Sequence, residues 1–173
     1  MIRKDSLKDK FLSILPDTPE KYIDVNVELQ QMTLFHNDLS VCSFPVSTSG
    51  YGVGNRINSF MTPTGIHLIK EKIGSGAPSG MIFKDRKSSG KIWTAETNEE
   101  NLILTRILRL KGLEPGINLG SGIDSFKRYI YIHGTNREDL IGTPFSHGCI
   151  CMKNDDIIRL FDSVEEETIV YIG

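Results

Sequence analysis

One stretch of this chain is more informative than any other: it runs from Tyr129 to Ile150 and reads YIYIHGTNREDLIGTPFSHGCI. A cysteine, Cys149, stands two residues after His147 and sixteen residues after His133. A thiol needs an adjacent base or a positive potential to reach a useful thiolate fraction at neutral pH. The spacing therefore predicts that Cys149 is a nucleophile served by one of these two histidines.

His133 is the better candidate for the base. Residues 129–133 alternate in the pattern of a strand, which predicts that Tyr131 and His133 lie on its wetter face. A strand fixes the backbone of His133, whereas a tight turn joins His147 to Cys149. We therefore expect His133 to accept the thiol proton and His147 to contact the substrate or the oxyanion.

Small and polar residues near the two histidines are expected to shape the site. Gly148 can adopt dihedral angles closed to other residues, so its amide and that of Cys149 are candidate oxyanion donors. Gly134 relaxes the same constraint beside His133. Three further side chains are expected to orient an imidazole, contact substrate or line the wall: Ser146, Thr135 and Tyr131.

Ordinary structural roles compete with these assignments. A lone buried cysteine is usually a small core residue, which is how we interpret Cys42, and His36 and His67 are expected to be solvated or hydrogen-bonded. The segment around Cys149 differs because Ser-His-Gly-Cys contributes almost no apolar area. A structural zinc site is a further alternative, and its ligands would be His133, His147, Cys149 and Cys151. One residue separates His147 from Cys149 and Cys149 from Cys151, whereas paired ligands of structural zinc sites are commonly separated by two to four residues.

Length and charge limit the class of protein. A chain of 173 residues that is 39% hydrophobic is long enough for one domain with a sizeable core. We predict a helical cover over residues 1–20 and one catalytic domain over residues 21–173. The net charge is −2 and the basic residues are scattered, which argues against nucleic acid as a partner.

Targeting signals and cysteine usage suggest a location. The first ten residues lack the apolar segment of a secretory signal, and no apolar run is long enough to cross a membrane. We expect a cytoplasmic protein, with the periplasm or cell wall, reached by an unrecognised route, as the alternative. Three cysteines, an odd number, indicate reduced thiols; a regulatory disulfide between Cys149 and Cys151 is a minor alternative.

Hydrophobic periodicity predicts a mainly β chain with small helices, an α+β fold. One amphipathic helix is predicted over residues 4–15, and a second is predicted to start at Asn154 as its N-cap. The Gly-rich segments 47–59 and 74–90 are predicted to be loops that border a site or are mobile. Strands are predicted over residues 22–29, 31–35, 39–46, 66–70, 102–110, 129–133 and 168–172.

The separated motifs resemble the YkuD-type L,D-transpeptidases. The signature of that family is matched by His133-Gly134-Thr135, Gly142 and Ser146-His147-Gly148-Cys149-Ile150. The turn Thr62-Pro63-Thr64-Gly65, which follows Pro45-Val46-Ser47, is similar to the family's Thr-Pro-x-Gly turn. The similarity spans about residues 23–172. It implies a β-sandwich-like catalytic domain that uses a cysteine and needs no cofactor or metal.

The resemblance also implies a reaction. Members of the family attack the carbonyl at the L-centre of the third residue of a peptidoglycan stem peptide and expel the terminal D-alanine. The acyl group then passes to an amine or to water. By resemblance, Cys149 is the nucleophile, His133 the base, and Ser146 and His147 contact substrate or the oxyanion. The expected partners are peptidoglycan stem peptides or soluble muropeptides, and carbapenems are expected inhibitors.

The acyl acceptor is the part of the reaction that the resemblance leaves open. The expected cytoplasmic location favours water, which predicts an L,D-carboxypeptidase of muropeptide recycling. A transpeptidase that forms 3-3 cross-links or exchanges D-amino acids is the alternative, and a non-catalytic peptide-binding module is the second. One residue departs from the family, since Cys151 stands where Arg or Asn is usual. Loss of a guanidinium predicts altered recognition.

Overall fold

The computed structural model describes residues 2–95 and 101–173. Helix α1 spans Ile2–Ile14, helix α2 spans Asn154–Ser163, and a short 3-10 helix spans Glu138–Leu140. The strands are β1 Lys21–Asn26, β2 Gln31–His36, β3 Leu39–Pro45, β4 Gly65–Ile73, β5 Met81–Lys84, β6 Lys87–Ile92, β7 Leu104–Gly112, β8 Tyr131–Gly134, β9 Ile150–Met152 and β10 Ile169–Ile172. The predicted mainly β fold with small helices is confirmed.

The strands of the described segments form one hydrogen-bonded network. Its main path runs β3-β2-β1-β10-β4-β7-β5-β6, and β8 and β9 branch from β7. Neighbouring strands are antiparallel, except that β1 pairs with β10 and β8 pairs with β9 in parallel. None of the helices in the described ranges is long and apolar enough to cross a membrane.

Both faces of the central strands are covered. The main core packs α2 against residues of β1, β2, β4, β7 and β8. On the other face, Leu7 and Phe11 of α1 pack against Tyr22 and Phe35, and the rings of Phe11 and Tyr22 meet edge to face at 5.0 Å. As a result the neighbouring residues Tyr22 and Ile23 of β1, whose side chains point to opposite faces, are both buried.

The structure tests three sequence predictions about strands and loops. The strands predicted over residues 31–35 and 39–46 are confirmed as β2 and β3. They form an antiparallel hairpin whose turn residues Asn37 and Asp38 have positive φ, as two-residue hairpin turns require. The strand predicted to reach Leu29 ends at Asn26, and the Leu29 side chain is 69% exposed. The loop predicted over residues 74–90 is wrong in part, because strand β5 and the start of β6 lie within it.

The N-cap predicted for α2 is also wrong. Lys153 occupies the cap position and makes no side-chain cap. Asn154 is the first helical residue, and its side chain is buried in tertiary contacts: it donates to the Thr135 carbonyl at 2.9 Å and accepts from the Thr105 hydroxyl at 2.5 Å. This side chain therefore ties the helix to strand β7 and to the end of strand β8.

Strand β8 lies between β7 and β9 and carries His133. The wetter face predicted for His133 is wrong, because this side chain is only 1% exposed. A small apolar cluster that includes Phe83 of β5 and Ile107 of β7 packs on Tyr131 and covers that face. Tyr129, predicted to begin the strand, lies outside it with a φ of 57° and a half-exposed ring.

Candidate active site

Parallel pairing of β8 and β9 brings the reactive residues together. His133 is the register partner of Cys151, and Cys149 precedes the first residue of β9. Residues two apart on a strand share a face, so both thiols lie on the side of His133. Cys149 and His133 line one cavity of about 260 Å³, together with Asn101, Ile103 and His147.

The hydrogen bond of His133 fixes which ring nitrogen can act as a base. Nδ1 lies 2.7 Å from the carbonyl oxygen of Gly134. A carbonyl can only accept, so Nδ1 carries the proton and Nε2 keeps its lone pair. Burial lowers the pKa of His133 to about 4. The imidazole is therefore neutral near pH 7 and able to take a proton at Nε2.

The thiol of Cys149 is also neutral at rest. Its sulfur lies 3.6 Å from the carbonyl oxygen of Tyr129, to which it donates. Burial raises the pKa of Cys149 to about 11, although the backbone N–H of Tyr131 and the charge of Arg128 act to lower it. The sequence suggested a site that holds a thiolate, whereas the structure favours an uncharged thiol. The proton must then move as the sulfur attacks.

Cys151 lies behind the cavity and is fully buried. Its sulfur is 3.7 Å from Asn101 Oδ1 and 3.9 Å from His133 Nε2, and burial raises the pKa of this thiol. It does not line the cavities that Cys149 lines. Cys151 therefore contacts Asn101 and His133, which line the cavity, without lining it itself.

A network of hydrogen bonds holds the turn before the nucleophile. The Ser146 hydroxyl donates to the Cys149 carbonyl at 2.5 Å and accepts from the Gly148 amide at 3.2 Å. Thr62 of the Thr-Pro-x-Gly turn donates to the Gly148 carbonyl at 3.0 Å. Because Ser146 engages the Gly148 amide, the Cys149 amide is the better oxyanion donor. The substrate contact predicted for Ser146 stays a prediction.

Gly134 and Thr135 help to position the residues that surround His133 and the cavity. A Cβ on Gly134 would meet Asn154 Oδ1 at 2.5 Å and the Leu104 carbonyl oxygen at 2.8 Å, so a larger residue does not fit. The buried Thr135 hydroxyl donates to Asn101 Oδ1 at 3.1 Å. These contacts set the position of the Asn101 side chain at the cavity wall.

His147 lies at the exposed rim of the site. Its ring is 5.6 Å from the rings of both Tyr51 and Phe60. It lines the cavity of Cys149 and also a neighbouring cavity of about 360 Å³ that Arg128 and Tyr129 line. This position fits the substrate contact expected of His147 and leaves the base role to His133.

A third cavity of about 390 Å³ also reaches Cys149, on the side of the hairpin formed by β5 and β6. Its described lining includes Tyr131, Arg86 and Asp85. Sequence reasoning missed Arg86 because the segment was read as a loop. Asp85-Arg86 is not one of the usual two-residue hairpin turns, although both residues have positive φ, so no clear local signal marks this hairpin.

Other residues with sequence-based assignments have ordinary roles. His36 Nε2 lies 2.8 Å from a Glu20 carboxylate oxygen, and His67 is bonded to the Gly65 carbonyl and the Ser125 hydroxyl. Cys42 is partly buried against the main core. The residues considered as zinc ligands do not form a metal site. Within residues 2–95 and 101–173, no three His, Cys, Asp or Glu side chains form a group that could hold a metal ion.

Comparison with known proteins gives relatives that are named as probable L,D-transpeptidases. The chain is 32% identical over 163 residues to the probable L,D-transpeptidase ErfK/SrfK of Salmonella typhimurium and 30% identical over 164 residues to that of Escherichia coli. Each match covers 92% of this chain but 46% of the relative, so the chain spans about half the length of these relatives.

The fold is shared with solved structures as well. L,D-transpeptidase 3 from Mycobacterium tuberculosis, solved in complex with a faropenem-derived adduct, superposes with a TM-score of 0.56 at 16% identity, over 91% of this chain and 61% of that one. A family model described as the L,D-transpeptidase catalytic domain matches residues 20–172. That match covers most of the chain, and the chain therefore belongs to the YkuD family of L,D-transpeptidase catalytic domains.

Proposed function

We propose that this chain is a cysteine enzyme that removes the terminal D-alanine from peptidoglycan tetrapeptide stems through a thioester on Cys149, with water as the final acyl acceptor. One observation carries the proposal: the Cys149 thiol and a neutral His133, whose tautomer is fixed, line the same cavity. A nucleophile and a base that share a substrate-sized space are the parts that acyl transfer requires.

The geometry supports a proton route through His133. As Cys149 Sγ attacks the carbonyl of stem residue 3, its proton moves to His133 Nε2, and the Cys149 amide binds the developing oxyanion. Collapse of the tetrahedral intermediate breaks the bond to the D-alanine nitrogen, which takes the proton from His133. Water then attacks the thioester, again losing its proton to His133, and the trimmed tripeptide leaves as the thiol re-forms.

Transfer to an amine is the second candidate, and the presence of two cavities at Cys149 is the observation that supports it. Cys149 lines two adjoining cavities, of about 260 and 390 Å³. Two spaces that meet at one sulfur leave room for an acyl donor on one side and an amine acceptor on the other. The product would then be a 3-3 cross-link or an exchanged D-amino acid. A cytoplasmic location would make soluble muropeptides the substrate pool, and it stays a prediction.

The test is incubation of the protein with a disaccharide-tetrapeptide, with and without an added amine, and analysis of products by mass spectrometry. Release of D-alanine without amine supports hydrolysis, whereas product that appears only with amine supports transfer. Cys149→Ala is the control and should release none.

A carbapenem separates both enzymes from a peptide-binding module that lacks turnover. We expect the sulfur of Cys149 to attack the β-lactam carbonyl of the drug, as it attacks the carbonyl of the stem peptide. The mass of the protein should then increase by the mass of the drug. Absence of an adduct with both a carbapenem and iodoacetamide would favour the binding module.

A further inference from the structure

Arg86 is a cation at the tip of a hairpin that reaches the nucleophile. Asp85 and Arg86 form the turn between β5 and β6, and both have positive φ. The Arg86 side chain lies along two tyrosines of the site: Nη1 donates to the Tyr131 hydroxyl at 3.2 Å, and the guanidinium carbon is 5.0 Å from the centre of the Tyr129 ring. Its head group is thereby held at the cavity wall.

Among residues 2–95 and 101–173, no acidic side chain is in hydrogen-bond contact with Arg86. Its hydrogen bond is to a neutral phenol. The hydrogen bond to Tyr131 is the main cause of the raised pKa of Arg86, and the charge of Asp85, which lines the same cavity, is the smallest. No ion pair joins Asp85 and Arg86 among the described residues. A guanidinium has five N–H donors in a planar fork that matches a carboxylate. One hydrogen bond to Tyr131 leaves most of that fork available.

Arg86 and Cys149 line the same cavity, of about 390 Å³. The other cavity of Cys149 contains neither Arg nor Lys among its described lining residues. A substrate carboxylate bound next to the sulfur would therefore find a permanent cation on the hairpin side.

Arg128, the other guanidinium near Cys149, has a different set of contacts. Its two terminal nitrogens donate to the carbonyls of Gly54 and Met61, at 3.1 and 2.6 Å. Those bonds hold the segment that carries Phe60 and Thr62 close to the nucleophile turn. Arg128 is thus engaged by the protein itself, whereas Arg86 is placed to receive a ligand.

We infer that Arg86 binds the C-terminal carboxylate of the residue that leaves, and so selects stems that end in a free carboxylate. This inference rests on the proposed function, because it takes the terminal residue as the leaving group. The carboxylate is two bonds from the nitrogen that departs, so its partner must share the cavity with the attacking sulfur. Arg86 meets that condition and acts on substrate position, without taking part in bond making.

The test crosses an enzyme variant with a substrate change. Wild-type protein and Arg86→Gln are each assayed with a tetrapeptide stem and with the same stem carrying a C-terminal amide. Loss of one charge-assisted contact predicts that Arg86→Gln lowers kcat/KM about 10- to 100-fold on the free acid and leaves the amide nearly unchanged. Arg86→Lys should retain part of the preference, because it keeps the charge and loses the fork.

Lys84→Gln is the matched control, since it removes one exposed cation from the same hairpin outside the cavity. It should leave both substrates unaffected. Equal losses of Arg86→Gln on acid and amide, or no loss on either, would overturn the inference.

Failure of the proposed function has a different signature: the wild-type protein would release neither D-alanine from the acid stem nor D-alanine amide from the amidated stem. The role of Arg86 is then tested by equilibrium binding of the acid and the amide to Cys149→Ala protein, with and without Arg86→Gln. Tighter binding of the acid that depends on Arg86 supports the contact, and equal affinities refute it.

Discussion

His133 Nε2 lies 3.9 Å from the sulfur of Cys151, its register partner on the neighbouring parallel strand. The imidazole therefore has two thiols on its side of the sheet, Cys149 in the cavity and Cys151 behind it. In the resting structure the Cys149 S–H donates to the Tyr129 carbonyl, so the thiol in contact with Nε2 is that of Cys151. Only the cavity thiol is placed to meet a substrate.

Cys151→Ala should separate the two thiols. Removal of a small, fully buried side chain is expected to lower the free energy of unfolding by about 1 kcal/mol. The carbapenem acylation rate should fall by far less than the roughly 100-fold or greater loss that follows loss of a general base. The rate is measured by mass spectrometry, beside Cys149→Ala as the variant without a nucleophile. Loss of the adduct in Cys151→Ala would indicate that Cys151, and not Cys149, is the nucleophile.

Local chemistry explains which parts of the fold could be predicted. The hairpin of β2 and β3 depends on its own alternation and on Asn37 and Asp38 at the turn, and all of these are visible in the sequence. Strand β7 could be read in the same way from its β-branched and apolar residues. Such elements can be predicted from local sequence, because the residues that determine them lie close together in the chain.

The burial of His133 could not be read from its strand. The alternation of β8 is correct, but the cover over its outer face comes from residues near Phe83 and Ile107, which are distant in sequence. The pairing of His133 with Cys151 and the contact of Arg86 with Tyr131 are tertiary in the same sense. No local pattern encodes which distant segment packs on a strand, so the resting protonation of the site cannot be predicted from the sequence alone.

The pH dependence of Cys149 alkylation tests that protonation state. A pKa raised to about 11 means that the thiolate fraction grows about tenfold with each pH unit below that value. The rate of iodoacetamide addition should therefore rise steadily from pH 6 to pH 10. Peptide mapping separates Cys149 from the partly exposed Cys42. A plateau across this range would indicate a preformed thiolate-imidazolium pair instead.

His133→Gln should slow carbapenem acylation by about 10²- to 10⁴-fold, since the amide has no basic nitrogen to accept the thiol proton. Alkylation by iodoacetamide at pH 10 should change little, because hydroxide removes the proton there. Comparison of the two rates in one variant distinguishes loss of the base from loss of the fold. If both rates fall together, His133 acts through structure alone.

His67 provides a test of acid stability that leaves the active site alone. Burial lowers its pKa from 6.5 to about 4, so the unfolded chain takes up a proton well before the folded chain does. The free energy of unfolding must then decrease as the pH falls from about 6.5 to 4, by about 3 kcal/mol for this residue. The similarly lowered pKa of His133 gives a second loss in the same range.

His67→Gln cannot take up that proton and should show a smaller decrease between pH 7 and pH 4. Gln can still bond to the carbonyl of Gly65 or the hydroxyl of Ser125, which limits the cost at pH 7. Urea unfolding at a series of pH values measures the difference, with exposed His36→Gln as the control. Equal pH dependence in wild-type and His67→Gln protein would show that His67 is protonated in the folded state, contrary to its burial.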